Sequence, residues 1–425
     1  MKVSILIPTL NEEENIEDLI QRIKDILLNQ SIKYNYEIIV VDGGSKDNTQ
    51  AIALKCGALV IQQKKPGYGE ALKEGFNYAK GDIVLTMDAD FSHDPKFIDL
   101  LLSHHHRAEL IIASRYIDGG QANMPLLRKI LSVFLNKVFT KILELPYKDI
   151  SSGFRLYNKK ILNEIDLTSQ GYEILEEIII KTHANAWSIM EIPFHYYPRK
   201  SGKSHVKFFK FAISYLKTLF KMWQIRNSLF SADYEDKAYH SNVLLQRYWQ
   251  RRKYLDIIDF IGTDTGRILN IGYGVSEFSR SFTNIICYDF AIKKLRYLKK
   301  MYLPVVAGNT DQIPFKDKEF DVVICSSILE HIPENDFNFS EINRVLKDRG
   351  CLIICAPDYK KIMWKIIEKF YKKLLPGIYA NQYVTKYTKN SLIEKLKLNG
   401  FILYDYRYIF GSELIVKAIK NWETA

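Results

Sequence analysis

Apolar runs of strand length alternate with amphipathic helical segments along most of this 425-residue chain. That alternation limits the fold to sheets of largely parallel strands covered by helices. In the first half, strands are expected at residues 3–7, 37–41, 59–62 and 83–87. Helices opening at Asn11, Asp47 and Glu70 separate them. A second series places strands at 267–271, 285–288, 303–306, 320–325 and 351–356, with a closing strand pair at 401–408 and 413–419. The polar stretch 231–245 between the two series reads as a linker. A chain of this length exceeds one ordinary core, so the reading is a domain at 1–230, a linker at 231–245 and a domain at 246–425.

The hydrophobic share of 47% is that of a globular protein, and no apolar run reaches membrane-spanning length. A strand begins within the first residues, which leaves no room for a signal peptide. The five cysteines (Cys56, Cys287, Cys325, Cys351, Cys355) have no metal or disulfide spacing and read as reduced residues of a cytoplasmic protein. A net charge of +11 calls for acidic partners: nucleotides, lipid phosphates or an anionic membrane surface. No nucleic-acid recognition motif is present, so no nucleic-acid partner is expected. Nothing in the sequence speaks to oligomeric state.

The run Gly81–Asp90 (GDIVLTMDAD) ends in two carboxylates one residue apart. On an extended backbone Asp88 and Asp90 point the same way. Two anionic oxygen donors at a strand end suit Mg2+ or Mn2+ with sites left for substrate phosphates. In parallel sheets ligands bind beyond the carboxyl ends of strands, where Pro8, Glu12, Asp42 and the Asp88–Asp90 pair should all converge. Asp42 stands where a sheet of this type would hold a base edge or ribose. Gly67 and Gly69 precede a helix start, a place suited either to close phosphate approach or to an ordinary turn. His104, His105 and His106 diverge by about 100° each on a helix, so they read as a solvated helix end.

The segments PTLNEEENI, VVDGGSKDNT, PGYGEAL, GDIVLTMDADFSHDP, ASRYIDGG and ISSGFR occur in one collinear order. Together they resemble glycosyltransferase family 2, and within it the dolichyl-phosphate mannose synthase (polyprenyl-phosphate glycosyltransferase) branch, over roughly residues 1–225. The resemblance implies a GT-A fold, a nucleotide-diphosphate sugar donor, Mg2+ or Mn2+, and inversion at the anomeric centre. It also implies that Pro8, Glu12 and Asp42 bind the nucleoside and that Asp88 and Asp90 hold the metal. Arg115, Arg128, Arg155 and Arg199 are the cations of the matching motifs and would clamp a polyprenyl or dolichyl phosphate. Two positions depart from the family: Ser92 replaces a frequent glutamine and Gly43 replaces a second acid. An acceptor that is already anionic needs charge clamping more than a base. A glycan-extending enzyme acting on a sugar hydroxyl is the alternative, and it would need a carboxylate base such as Asp149 or Glu177. Residues 207–230 mix aromatic and aliphatic side chains with lysines, the composition of a helix lying in a membrane interface. The expected protein is peripherally membrane-associated.

The second series opens with a strand running into Gly272-Tyr273-Gly274, and Asp289 ends the next strand, placed to accept from ribose hydroxyls. With Gly308-Asn309, Ile313-Pro314-Phe315 and Leu329-Glu330-His331 it resembles class I S-adenosylmethionine-dependent methyltransferases over roughly residues 245–420. Gly272, Gly274, Asp289 and Asn309 would then hold S-adenosylmethionine. Asn270 stands in place of the family's acid, Ser276 at its third small position and Asn309 in place of its usual aspartate. A methyltransferase-like scaffold without activity is the alternative for this half, and His331 is a candidate base.

Overall fold

The computed structural model describes residues 1–29, 34–198, 208–263, 266–272, 276–334, 336–374 and 384–421. The chain divides into two compact units, Met1–Arg226 and Asn227–Ala425.

In the first unit β1 (Lys2–Thr9) is central, with β2 (Asn35–Asp42) and β3 (Leu59–Gln62) on one side and β4 (Ile83–Thr86) on the other. These four strands are mutually parallel. Beyond β4 the order continues β7 (Arg155–Asn158), β5 (Leu110–Ser114) and β8 (Ile189–Pro193). Here the expectation of a parallel sheet needs correction, because β7 runs antiparallel to both β4 and β5. A short parallel pair, β6 (Gln121–Ala122) and β9 (His195–Tyr196), stands apart from the main sheet. The helices are α1 (Ile16–Leu28), α2 (Thr49–Lys55), α3 (Tyr68–Tyr78), α4 (Ile98–Ser103), α5 (Leu126–Leu143), α6 (Lys159–Glu164), α7 (Ile174–Ala184) and α8 (Phe208–Arg226). Alternation along β1 sends Val3, Ile5 and Ile7 into one core and Leu6 into the other. Against the first core α1 buries Ile16, Leu19, Ile20, Ile23 and Leu27 at helical spacing, and Glu17 and Asp18 complement its N-terminus.

The second unit opens with α9 (Tyr234–Tyr239) and α10 (Leu244–Ile261). Its sheet centres on β10 (Ile268–Ile271), with β11 (Ile285–Asp289) and β12 (Val305–Ala307) on one side, and β13 (Phe320–Ser326) and β14 (Leu346–Pro357) on the other. All five run parallel. The closing pair expected from the sequence is present as β15 (Phe401–Ile409) and β16 (Glu413–Lys420), antiparallel to each other and, through β16, to β14. The remaining helices are α11 (Ser276–Arg280), α12 (Ile292–Lys300), α13 (Phe339–Val345), α14 (Ile362–Leu374) and α15 (Lys389–Leu398). In each unit the strand order reverses beside the first strand, at β1/β4 and at β10/β13, and a crevice opens at such a point.

Residues 231–245, expected as a linker, lie within the second unit and contain α9. Their charges are the reason they resembled a linker, yet Glu235 and Asp236 are buried. One Asp236 oxygen accepts from the Ser276 amide at 2.7 Å and the other from the Tyr297 hydroxyl at 2.8 Å. Replacing Asp236 with alanine leaves both donors unpaired. The expected cost is about 2–4 kcal/mol, read as a lower midpoint for the second unit in urea unfolding of the full chain.

Candidate functional site

The first site is built on the loop that follows β4. The strand ends at Thr86, so Asp88 and Asp90 belong to a turn rather than to extended backbone, with Phe91 at φ 61° completing it. That corrects the alternation argument for their direction. What orients the loop is His93, a residue sequence reasoning passed over. Its Nδ1 accepts the Asp88 amide at 2.9 Å, and its Nε2 lies 3.7 Å from an Asp88 carboxylate oxygen. The imidazole is stacked on Phe154 at 5.1 Å and meets Phe194 and Tyr196 edge-on. Burial pushes its pKa down against the pull of Asp88 and Asp90, which favours the neutral ring that an accepting Nδ1 requires.

Asp90 is buried and accepts from the Ser92 amide at 3.0 Å. Asp88 keeps 38% of its side chain exposed. The Tyr68 hydroxyl lies 3.4 Å from its Oδ1, and burial together with the Asp88 charge holds that phenol well above its usual range. Gly153 makes this approach possible: a Cβ there would stand 2.8 Å from the Tyr68 hydroxyl and 3.8 Å from Asp88 Oδ1. Two carboxylates, one of them part-exposed, form an oxygen-only donor set of the kind a hard divalent cation takes. Among the described residues no cluster of three metal-ligating His, Cys, Asp or Glu side chains occurs.

Pro8, Glu12 and Asp42 do gather at this end of the sheet. Pro8 pairs with Val41 at the end of β1, and the Glu12 amide donates to Thr49 Oγ1 at 2.8 Å. Asp42 is wholly buried, and its carboxylate accepts from the Gly44 and Ser45 amides (both 2.9 Å), Gln50 Nε2 (2.7 Å) and the Ser45 hydroxyl. These bonds, from its own loop and from α2, make it the cap of the turn that follows β2.

Gly67 and Gly69 meet the chain itself as well. A Cβ on Gly67, at φ +126°, would stand 2.3 Å from the Gln170 carbonyl oxygen, and one on Gly69 would stand 2.8 Å from Gln170 and Ser169 backbone atoms. The Gly69 amide donates to the Gln170 carbonyl at 2.8 Å. These glycines admit another stretch of backbone where a phosphate was expected.

The four arginines separate. Arg155 is fully buried, and its Nε, Nη1 and Nη2 donate to the carbonyls of Ser152 (2.6 Å), Leu175 (2.8 Å) and Ile150 (2.7 Å). It satisfies backbone and has no face for a ligand. Arg115 forms a forked pair with buried Asp149, Nε and Nη2 each 2.7 Å from a carboxylate oxygen, and Nη2 also reaches Ser151. Burial pulls the Arg115 pKa down, but the Asp149 charge and hydrogen bonds outweigh it and keep the guanidinium charged. Arg128 is exposed on α5. The Arg115 and Arg128 guanidiniums lie 5.7 and 5.9 Å from the centroid of one ring, Tyr196. Arg199 lies outside the described residues.

Neither proposed carboxylate base is free. Burial pushes Asp149 up, yet its ion pair with Arg115 holds it below the usual range. Glu177 accepts from the Thr168 and Ser169 amides and pairs with Lys181 at 2.7 Å. Against the upward push of burial, those bonds hold it down at about 2.

The second unit has a cavity of about 230 Å3 at the carboxyl ends of β10 and β11, lined by Ile271, Tyr288, Asp289, Asn309, Ile328 and Asp336 among others. Gly272 sits at φ +74°, a conformation that favours glycine. Asp289 is buried and accepts from the Ala291 amide at 2.8 Å. Asn309 is exposed at the rim; its carbonyl accepts from Tyr288 and its amide donates to Asp311. Gly274 lies outside the described residues. The buried Asn270 has a side-chain oxygen with no partner among the described residues. Between the cavity-lining residues Ile328 and Ile332, burial pushes Glu330 up to about 8, and its Oε1 lies 3.8 Å from His331 Nε2.

A stability measurement separates the arginines. Arg155→Met strands three buried carbonyls and should cost about 3 kcal/mol or more, whereas Arg128→Ala should change unfolding free energy by less than about 0.5 kcal/mol. Urea unfolding of the two variants reads both.

Comparison with known proteins agrees with this division. The family model for glycosyl transferase family 2 matches residues 4–166, and a methyltransferase domain model matches residues 269–354. A dolichol-phosphate mannosyltransferase of Pyrococcus furiosus is 36% identical over 233 residues, which are 52% of this chain and 64% of that protein. The chain thus spans under two thirds of that relative's length. A polyprenol monophosphomannose synthase of Mycolicibacterium smegmatis is 31% identical over 53% of this chain and 88% of that protein. Among solved structures, glucosyl-3-phosphoglycerate synthase from Mycobacterium tuberculosis, in complex with Mn2+, UDP and phosphoglyceric acid, aligns at 21% identity over 52% of this chain and 78% of that one, with a TM-score of 0.43. The chain belongs to glycosyl transferase family 2 and carries a methyltransferase domain in its second half.

Proposed function

We propose that the first unit transfers a hexose from a nucleotide-diphosphate sugar to a polyprenyl phosphate at a membrane surface. The observation that carries this reading is that the part-exposed Asp88 carboxylate is held by His93, whose ring meets Tyr196, the ring that Arg115 and Arg128 both face. Asp88 and Asp90 would hold Mg2+ or Mn2+, which supplies charge neutralisation for the departing diphosphate. His93 fixes the Asp88 backbone, so the part-exposed carboxylate is held in place before substrate arrives. Pro8 and Glu12 would border the nucleoside. Arg128 has no ion pair among the described residues and is the cation available to an acceptor phosphate, while Arg115 is largely spent on Asp149.

Two further features favour a lipid acceptor over a glycan. Asp149 and Glu177 are both engaged, which suits an acceptor needing no base. The helix bearing Arg128, α5, also exposes Leu126, Leu127, Ile130 and Phe134, and α8 exposes Ile213, Leu216 and Phe220. Among the described residues no helix is long and apolar enough to cross a membrane, so these ridges suit a helix lying in the interface.

Incubation with GDP- and UDP-sugars, Mg2+ or Mn2+ and polyprenyl phosphate should yield an acid-labile glycolipid. Asp88→Asn should lower kcat by about 100-fold or more. Arg128→Ala should raise KM for the lipid phosphate about tenfold and leave the donor KM unchanged. Transfer onto soluble glycans with no glycolipid from any donor would refute the lipid acceptor.

The second unit we assign to methylation of a sugar or lipid-linked product, with S-adenosylmethionine as methyl donor. The cavity fits part of such a cofactor, being smaller than whole small-molecule sites of roughly 300–1,000 Å3. Asp289 would meet the ribose, Gly272 allows close backbone approach, and the buried Asn270 oxygen, without a partner among the described residues, could accept from the ligand. Titration calorimetry of the full chain with S-adenosylmethionine should give saturable heat that Asp289→Ala abolishes. No heat would leave the unit as a scaffold.

A further inference from the structure

The helix α14 has two differently occupied sides. Trp364 is buried and Ile367 half-buried against the unit, which defines the inner side. At about 100° per residue, Ile362, Met363, Ile366 and Phe370 fall within one sector on the outer side. They are 75%, 46%, 58% and 61% exposed. Lys365, Lys369, Lys372 and Lys373 run along one margin of that ridge, and residues 359–374 hold six lysines against the single acid Glu368. Glu368 is itself paired with Lys372 at 2.8 Å.

The ridge continues at the same end of the sheet. The Asp358 amide donates to the Ser412 carbonyl at 2.9 Å, which brings the approach to α14 beside the turn between β15 and β16. That turn exposes Phe410, whose ring is 5.2 Å from Tyr248 at the start of α10, where Val243, Leu244 and Leu245 are exposed as well. Pro357 at the end of β14 pairs with Glu413 at the start of β16. The approach to α14, the Phe410 turn and the start of α10 therefore lie at the carboxyl end of the parallel strands, the end that holds the Asp289 cavity.

We propose that α14, together with the turn at Phe410 and the start of α10, docks the second unit onto an anionic lipid surface. The chemistry distinguishes this occupant from a second copy of the chain. Protein–protein interface cores are depleted in lysine, whereas an apolar ridge with a lysine margin is the composition of a helix lying among anionic headgroups. The consequence is a methyltransferase unit whose cavity end faces the membrane, within reach of a substrate carried on a lipid. The inference does not depend on how the first unit works.

The test is sedimentation of the full chain with phosphatidylcholine vesicles containing about 30 mol% phosphatidylglycerol. To isolate the second unit, it uses a background in which the α5 and α8 ridges are both made polar (Leu127→Ser, Ile130→Ser, Phe134→Ser, Ile213→Ser, Leu216→Ser, Phe220→Ser). Binding should persist in that background, weaken at high salt, and fall about tenfold or more when Ile362→Ser, Ile366→Ser and Phe370→Ser are added. The unfolding midpoint of the combined variant should match its parent, so that a loss cannot come from misfolding. Equal binding with and without the α14 changes would overturn the proposal. So would a shift from dimer to monomer on gel filtration without change in vesicle binding, since a second copy would then cover the ridge.

Discussion

One constraint governs the first unit: an antiparallel strand, β7, is driven into an otherwise parallel sheet, and the chain entering it passes through the interior. Buried backbone carbonyls and amides along that entry need partners. Arg155 takes the carbonyls of Ile150, Ser152 and Leu175, and Asn136 accepts the Ile150 amide. Glu191 accepts the amides of Lys148 and Asp149 and the Ser114 hydroxyl. Asp149 in turn accepts the Arg115 amide and its guanidinium fork. The site depends on this lattice of bonds. It sets Gly153 against Tyr68 and Asp88, Phe154 under His93, and Arg115 beside Tyr196. The Arg115–Asp149 pair is fully engaged within it, and removing one partner would leave the other charge buried and uncompensated.

The second unit meets the same problem with a smaller device. Lys253 of α10 reaches inward to Glu413 at 2.8 Å and Ser327 at 3.0 Å, and the Trp249 indole also donates to Glu413. Burial alone would discharge that lysine, and the Glu413 carboxylate outweighs it. One ion pair therefore ties α10, the end of β13 and the start of β16 together at the carboxyl end of the sheet. Burial pushes the Glu330 and Glu235 carboxyls up as well, which favours their neutral forms beside the Lys253–Glu413 pair.

Much of this was readable from residue order, and the failures have physical causes. Strand–helix alternation located β1–β4 and β10–β14 because it reflects local burial, and Asp88–Asp90 was found because two acids at a strand end are rare enough to notice. His93 was missed because its role rests on rings at positions 154, 194 and 196, contacts that no local pattern encodes. Arg128 and Arg155 look alike as cations in motifs; only the antiparallel course of β7 decides that one is exposed and the other bonded to backbone. Asp42, Gly67 and Gly69 stand out in the sequence, and the structure gives each a partner within the chain. These partners make a self-capped turn and a close backbone crossing. Residues 231–245 misled because charge normally signals solvent, and here Asp236 is paired inside the fold.

The distribution of charge bears on what the molecule meets. Residues of α5 include four cations and no acid, those of α8 four cations and no acid, and those of α14 four lysines and one glutamate. These three helices account for the whole formal excess of +11, so the rest of the chain is electrically balanced. The same three helices expose apolar ridges: Leu126, Leu127, Ile130 and Phe134; Ile213, Leu216 and Phe220; Ile362, Ile366 and Phe370. A nucleic-acid surface concentrates cations where phosphates track a groove and has no use for exposed leucine and isoleucine beside them. A soluble anionic substrate needs cations at its site and not along helix flanks. Coincidence of basic charge with apolar exposure, helix by helix, is what partition into an anionic interface requires, since acyl-chain contact and headgroup attraction then act on the same element.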